Sequence, residues 1–145
     1  MSKAIVVYLS TSGNTKMMAE GIADGMKQRN IDAKAVSFYD VNLEDLKAAD
    51  AIVVGSSTFH YKMLPPMEKF ITDKLANADA SGKIGAAFGS YGWSGEAPVL
   101  IAESMRKLGI KVIDPVLRIQ HKPTDKDLKE CSRLGMDIAE LLKKA

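Results

Sequence analysis

The sequence has a single cysteine, Cys131, and only two histidines. A lone thiol cannot form an intramolecular disulfide, and one thiol with two imidazoles is a poor donor set for a metal ion. We therefore expect no metal site. A chain without disulfides suits a reducing compartment, which predicts a cytoplasmic protein. Cys131 falls on the apolar side of a helical pattern and is expected to be an inert core thiol.

Long hydrophobic runs and a strong excess of charge are also absent. The longest apolar run, over residues 4–9, is too short to span a bilayer, and the first residues show no signal-peptide pattern. The 20 Lys and Arg residues are interspersed with 18 Asp and Glu residues, and the formal net charge is +2. This balance argues against a nucleic-acid surface, and we expect neither nucleic acid nor membrane as a partner.

The length of 145 residues predicts one domain over residues 1–145, which we expect to be a monomer. Such a chain can bury a core without disulfides. Hydrophobic residues make up 46% of it and charged residues 26%, as is usual in globular proteins. These values exclude disorder and fibrous architectures.

Short apolar runs alternate with stretches of helical periodicity. Residues 4–9, 51–55 and 83–89 are almost wholly apolar, as in parallel strands buried on both faces. Residues 32–37 and 111–119 are mixed, which favours edge strands. The pattern predicts an α/β doubly wound three-layer sandwich with a five-stranded parallel sheet in the order 2-1-3-4-5. Ligands of such sheets bind at the carboxyl ends of the strands, so the loops after the first, third and fourth strands are candidate sites.

The first of these loops is rich in hydroxyl groups. Residues 10–15 read Ser-Thr-Ser-Gly-Asn-Thr and lie between a buried strand and the start of a helix. The unpaired amides of a helix N-terminus attract anions, which predicts a phosphate site. The Walker A and dinucleotide-binding spacings are both absent, so a terminal phosphate monoester is favoured over a triphosphate. The alternative is that these residues only cap the helix.

The other two loops combine small polar residues with aromatic rings. Residues 56–62 read Ser-Ser-Thr-Phe-His-Tyr-Lys, and residues 89–95 read Gly-Ser-Tyr-Gly-Trp-Ser-Gly. Only 6% of the chain is aromatic, so this concentration predicts a flat ligand held between rings. The alternative is that the rings close the ends of the core.

Taken together, these residues resemble a flavodoxin of the short-chain type. Residues 10–15 match the family pattern [ST]-x-[ST]-G-x-T, and residues 88–93, Phe-Gly-Ser-Tyr-Gly-Trp, resemble the third flavin-binding loop. With Ser94-Gly95-Glu96-Ala97, that loop is also similar to the flavodoxin-like domain of flavodiiron proteins. The resemblance covers the whole chain. It implies a flavodoxin-like fold and a noncovalently bound FMN.

The resemblance further implies a low-potential electron carrier without catalytic residues, which passes electrons from a reductase to an acceptor enzyme. Phosphate binding is assigned to residues 10–15, the ribityl chain to Ser57 and Thr58, and the flavin to the two aromatic loops. The implied cofactor-binding residues are Ser10, Thr11, Ser12, Gly13, Asn14, Thr15, Ser57, Thr58, Phe59, His60, Tyr61, Ser90, Tyr91, Gly92, Trp93 and Gly95. His121 is expected to be an exposed loop residue.

Charge is the main departure from the family, whose members are typically strongly acidic. A chain of net charge +2 predicts partners with acidic docking faces.

Three other functions are possible for such a chain: an FMN-dependent oxidoreductase such as an NAD(P)H:quinone reductase, a phosphoacceptor receiver domain and an interaction module without cofactor. The receiver domain is disfavoured because it needs clustered acidic residues at the ends of the first strands, and residues 9–11 and 55–57 contain none.

Overall fold

The computed structural model describes residues 2–59, 62–92, 94–114 and 116–144, with Phe59 and Lys62 described by their backbone alone. The strands are, in chain order, β1 (Lys3–Leu9), β2 (Asp32–Ser37), β3 (Ala51–Ser56), β4 (Thr58–Phe59), β5 (Lys62–Met63), β6 (Ile84–Tyr91), β7 (Lys111–Val112) and β8 (Leu117–Gln120). The α-helices are α1 (Asn14–Lys27), α2 (Leu43–Ala48), α3 (Pro65–Asp73), α4 (Ala97–Lys107) and α5 (Asp125–Lys144), and a 3-10 turn covers Leu75–Asn77.

The main sheet is parallel and confirms the predicted strand order. Its strands run β2-β1-β3-β6-β7, and β8 also pairs with β6. The last predicted strand, over residues 111–119, forms as two pieces: β7 pairs with the start of β6 and β8 with its end. This division agrees with the proline at position 115, since proline cannot donate a ladder hydrogen bond. Pro115 itself lies outside the described residues.

The apolar runs of the central strands serve two cores, one on each face of the sheet. In β1, Ile5 and Val7 face the core built with α2, α3 and α4, whereas Ala4 and Val6 face the core built with α1 and α5. Successive residues of a strand point to opposite faces, so a strand covered by helices on both sides must be apolar throughout. This is the physical reason for the unbroken runs in the sequence.

Helices α1 and α5 approach closely because glycines lie where they meet. A Cβ added at Gly25 would collide with the backbone carbonyl of Ser132, and one at Gly135 would collide with the carbonyl of Ile22. Cys131 is fully buried between the same helices. Burial, with smaller contributions from Asp127 and Glu130, raises the pKa of the Cys131 thiol to about 12. The predicted core position of Cys131 is confirmed, and the raised pKa disfavours the reactive thiolate.

Three local features differ from the sequence-based expectation. Helix α2 and the antiparallel β4–β5 hairpin were not predicted, the hairpin falling in a segment expected to be a loop. The third is the end of α5, where helical spacing from Cys131 and Ile138 predicts that Leu141 is buried; Leu141 is instead 38% exposed, and Leu142 is the buried residue. Within the part of the chain that the structure describes, no helix is long and apolar enough to cross a membrane, and no cluster of His, Cys, Asp and Glu could hold a metal ion.

Candidate functional site

The carboxyl ends of β1, β3 and β6 lie side by side and bring the three loops to one cleft. These strands are neighbours in the sheet, and the order along the chain reverses between β1 and β3. Beyond their ends lies a cleft of about 220 Å³. It is lined by Thr11, Ser12, Asn14, Ser57, Thr58, Ser90, Tyr91, Gly92 and His121. The three loops that the sequence singled out therefore meet at one edge of the sheet, as the doubly wound topology predicts.

Helix α1 begins at this cleft without a side-chain cap. Its N-cap is Gly13, in the left-handed conformation with φ 89°, and no side chain accepts from the first turn. The Gly13 amide instead donates to Ser10 Oγ at 3.0 Å. The structure thus favours an anion site over the capping interpretation, since the first helical amides remain available and carry the positive end of the helix dipole. A Cβ at Gly13 would meet nothing within 4 Å, so the positive φ alone calls for glycine there.

Three hydroxyl groups join the loops behind the cleft. Thr15 is fully buried, and its Oγ1 lies 3.1 Å from Ser57 Oγ and 2.7 Å from Ser90 Oγ. Each hydroxyl has one proton to donate, and the two contacts use two of the three. The two contacts leave one proton of this hydroxyl triad (Thr15, Ser57 and Ser90) unused. The triad couples the ends of β3 and β6 to the first turn of α1.

The third loop is held from its other side by the end of β8. Gln120 Nε2 donates to the carbonyl of Gly92 at 3.2 Å, and the His121 amide donates to the carbonyl of Tyr91 at 2.7 Å. Arg118 lies against Gly95, and its Nη1 is 3.5 Å from the carbonyl oxygen of Gly95. Tyr91, Gly92 and Gly95 are therefore held against the end of β8.

The structure brings together the predicted site residues whose side chains it describes. Eight of them line the cleft, namely Thr11, Ser12, Asn14, Ser57, Thr58, Ser90, Tyr91 and Gly92. Thr15 lies behind it, and Ser10 and Gly13 shape its first loop. Gly95 is buried against Tyr91. His60, Tyr61 and Trp93 lie outside the described residues, as does the side chain of Phe59, so their assignment stays a prediction.

Two cleft residues have contacts or positions that the sequence did not predict. Thr58, assigned to the ribityl chain, already accepts a hydrogen bond at Oγ1 from the amide of Ala97 at 3.1 Å, which supports the start of α4. His121 is an exposed loop residue, as expected, and it also lines the cleft. The rule that ligands meet the carboxyl ends of strands could have found it, because His121 directly follows β8, a neighbour of β6.

The described residues that line the cleft offer dipoles, hydroxyl groups and one imidazole, that of His121. None of the described residues that line it is Asp, Glu, Lys or Arg. Lys16, in the first turn of α1, is exposed and does not line the cleft. Hydroxyls and backbone amides suit an anion that is bound by several hydrogen bonds.

The fold and the cleft define the class of this protein. It is a doubly wound parallel α/β protein with a donor-rich cleft at the switch point of its sheet. The family model of flavodoxins matches residues 6–135. The chain belongs to the flavodoxin family.

Solved structures agree with this assignment. A flavodoxin from the domain Archaea is 69% identical, with a TM-score of 0.96, and the match covers 97% of this chain and 99% of that one. The two-electron reduced flavodoxin of Megasphaera elsdenii is 31% identical, with a TM-score of 0.79, and the match covers 94% of this chain and 98% of that one.

A longer relative shows the same unit inside a larger protein. The chain is 34% identical over 144 residues to a putative diflavin flavoprotein of Synechocystis sp.. The match covers 97% of this chain but 24% of that protein, so the chain spans about a quarter of its relative's length. In two further curated relatives, the match covers 37% and 25% of the relative's own length.

Proposed function

We propose that this protein is an FMN-binding, low-potential electron carrier. The observation that carries the proposal is the uncapped start of α1, whose Thr15 hydroxyl meets hydroxyl groups from the ends of β3 and β6. This arrangement suits the phosphate of a mononucleotide, and membership of the flavodoxin family makes FMN the expected mononucleotide.

The residues present fit the phosphate end of FMN. The cleft offers the free amides of α1, the unused proton of the hydroxyl triad and the side chains of Thr11, Ser12 and Asn14. Its volume of about 220 Å³ is below the ~300–1,000 Å³ of pockets that enclose a whole ligand. The cleft therefore suits the phosphate and the adjoining polyol, with the ring system extending beyond it toward the aromatic loops.

We assign the binding roles as the sequence predicts them. The side chains and amides of residues 10–15 hold the phosphate, with Thr15 acting from behind through the hydroxyl triad. Ser57 and Thr58 adjoin the ribityl chain. The backbone of residues 90–92 and Gly95, together with Phe59, His60, Tyr61 and Trp93, surrounds the flavin. Bound FMN supplies the redox chemistry, and the protein's part is to bind it, orient it and exclude water from its inner edge.

The wider biology belongs to the same proposal. We place the protein in the cytoplasm as a single-domain monomer that accepts electrons from a reductase and delivers them to an acceptor enzyme. The net charge of +2 favours partners with acidic docking faces. Electron transfer to such a partner should slow as ionic strength rises, because exposed charges are screened within about 10 Å at 0.1 M salt.

The alternative is an FMN-dependent oxidoreductase with its own substrate. Relatives that include this unit carry names such as the nitric oxide reductase of Moorella thermoacetica, but the chain covers 36% of that protein. The carrier is favoured because the 69% identical archaeal flavodoxin matches this chain over almost its whole length.

Two measurements test the proposal. The purified protein should show the visible absorption of an oxidised flavin, and protein freed of flavin should bind FMN more tightly than riboflavin, which lacks the phosphate. The flavin-loaded protein alone should oxidise neither NADH nor NADPH at a catalytic rate. Absence of FMN binding would overturn the whole proposal, whereas rapid NAD(P)H oxidation would replace the carrier with the reductase.

A further inference from the structure

His121 occupies a defined place at the cleft. It follows β8, and its amide donates to the Tyr91 carbonyl at 2.7 Å. Its backbone is in the left-handed region, with φ 62°. Histidine, asparagine and aspartate adopt this region more readily than most residues. The chain thus turns at His121 while remaining fixed to the third loop, and the residue lines the same cleft as Ser12 and Asn14.

His121 is the one residue among the described cleft-lining set whose side chain can carry a positive charge. Other ionisable groups lie on the surrounding elements: Lys16 on α1, Arg118 on β8, Lys122 next in the chain, Asp125 at the start of α5 and Glu96 before α4. None of these five lines the cleft. Tyr91 does, but a phenol side chain cannot carry a positive charge.

We propose that His121 is a phosphate-binding residue whose protonated imidazole strengthens the hold of this cleft on the phosphomonoester of FMN. The inference rests on the proposed function, since it concerns the same cleft. Nothing else that lines the described cleft offsets the phosphate charge with a full positive charge. A charge-assisted hydrogen bond or ion pair from an imidazolium adds to the hydroxyl and amide donors already present.

The proposal makes the selectivity for FMN over riboflavin depend on pH. An imidazole ordinarily gains its proton between pH 8 and pH 5. A phosphomonoester loses its second negative charge near pH 6, which weakens the same interaction at still lower pH. Selectivity should therefore rise as pH falls from 8 to about 6 and then stop rising. Riboflavin affinity should not follow this profile, because riboflavin has no phosphate.

His121→Asn is the sharpest variant for this test. Asparagine also accepts positive φ, so the substitution removes the imidazole while keeping the turn. Lys122→Gln is the matched control, since it removes a neighbouring exposed positive charge that does not line the cleft. Dissociation constants for FMN and riboflavin would be measured by flavin fluorescence from pH 5.5 to 8.5 on protein freed of flavin.

In the native protein and in Lys122→Gln, the ratio of riboflavin to FMN dissociation constants should rise about threefold to tenfold between pH 8 and pH 6. In His121→Asn it should stay flat or fall, because only the phosphate titrates. Calorimetry in two buffers should likewise show that FMN binding near pH 7 takes up fewer protons in His121→Asn than in the native protein.

The outcomes separate this proposal from the function on which it rests. FMN binding whose selectivity has the same pH profile in the native protein and in His121→Asn would overturn the role of His121 and leave the electron carrier standing. A matching rise in riboflavin affinity would also overturn it, since the phosphate would then not be involved. Failure of FMN to bind at any pH would overturn both.

Discussion

Two clefts of similar volume lie at opposite ends of the sheet. The one at the amino end of the strands measures about 210 Å³, and the one at the carboxyl end about 220 Å³. Charged residues, Lys3, Asp32, Lys34 and Asp45, line the first, and Lys34 Nζ lies 2.9 Å from Asp45 Oδ2. The second is lined by hydroxyls and uncapped amides. Volume therefore does not distinguish the sites; the supply of unpaired donors does.

The contrast follows from the direction of the chain. In a parallel sheet each connecting helix begins at the carboxyl end of a strand, so helix amides gather there and helix carbonyls gather at the amino end. At the amino end a lysine takes up such carbonyls: Lys83 Nζ donates to those of Leu46 and Lys47 at 3.0 and 2.6 Å. At the carboxyl end, the first amides of α1 have no such side-chain partner.

The strongest test of this contrast places a negative charge at the uncapped helix. Asn14→Asp puts a carboxylate at the first residue of α1, where it should repel a phosphate and lower FMN affinity about tenfold to a hundredfold. The same charge favours the helix dipole, so the flavin-free protein should gain about 0.3–1 kcal/mol in unfolding free energy. Fluorescence titration with FMN and urea denaturation measure the two effects.

Asn42→Asp is the matched control, because Asn42 is the N-cap of α2 and does not line the cleft. Aspartate is an equally good N-cap, so neither stability nor FMN affinity should change much. If Asn14→Asp weakened riboflavin as strongly as FMN, the phosphate would not be at the start of α1.

A second test compares two glycines that have positive φ and open space. Gly13, at the cleft, has φ 89°, and Gly82, in the turn before β6, has φ 85°; an added Cβ meets nothing within 4 Å at either. Alanine at each should cost about 1–2 kcal/mol of unfolding free energy through backbone strain alone. Only Gly13→Ala should also lower FMN affinity, by about tenfold, because it alone disturbs the amides of α1. Equal FMN affinities in the two variants would contradict this.

A third test weakens the hydroxyl triad. Ser90→Ala removes the partner 2.7 Å from Thr15 Oγ1 but leaves the Thr15–Ser57 contact and one proton to donate. We expect a loss of about 1 kcal/mol in stability and a threefold to fivefold loss of FMN affinity, since only the positioning of Thr15 suffers. Ser37→Ala, at the end of β2 and outside the cleft, should leave FMN affinity unchanged. An unaffected affinity in Ser90→Ala would show that the triad only supports the fold.

Much of the fold could be predicted because burial on two faces leaves a simple pattern. The apolar runs of β1, β3 and β6 fixed the centre of the sheet, and with it the edge where the loops meet. Helix α2 escaped prediction because its six residues contain one buried side chain, Leu46, too few to show a period. At the end of α5, Leu141 and Leu142 stand three and four residues after Ile138, and either spacing is compatible with a helical face.

The parts of the site that depend on contacts between distant residues could not be predicted from the sequence. The polar character of residues 10–15 is visible in the sequence, but the link from Thr15 to Ser90 spans 75 residues and exists only because β1 and β6 both flank β3. The place of His121 likewise depends on the pairing of β8 with the end of β6. The sequence alone shows which residues carry hydrogen-bond donors and which segments have the periodicity of a helix or a strand. The partner that each donor meets depends on how the strands pair.

The smallest expected effect tests the amino-end cleft. Lys34→Met breaks the ion pair with Asp45, in which the two side chains are 56% and 39% exposed. Exposed pairs contribute about 0–1 kcal/mol, so stability should fall by less than about 1 kcal/mol. FMN affinity should stay within about twofold, because that charge is opposed by its own partner and lies at the other end of the sheet. A larger loss of FMN affinity would mean that the overall charge of the protein affects phosphate binding. The donors of the carboxyl-end cleft would then not explain the affinity by themselves.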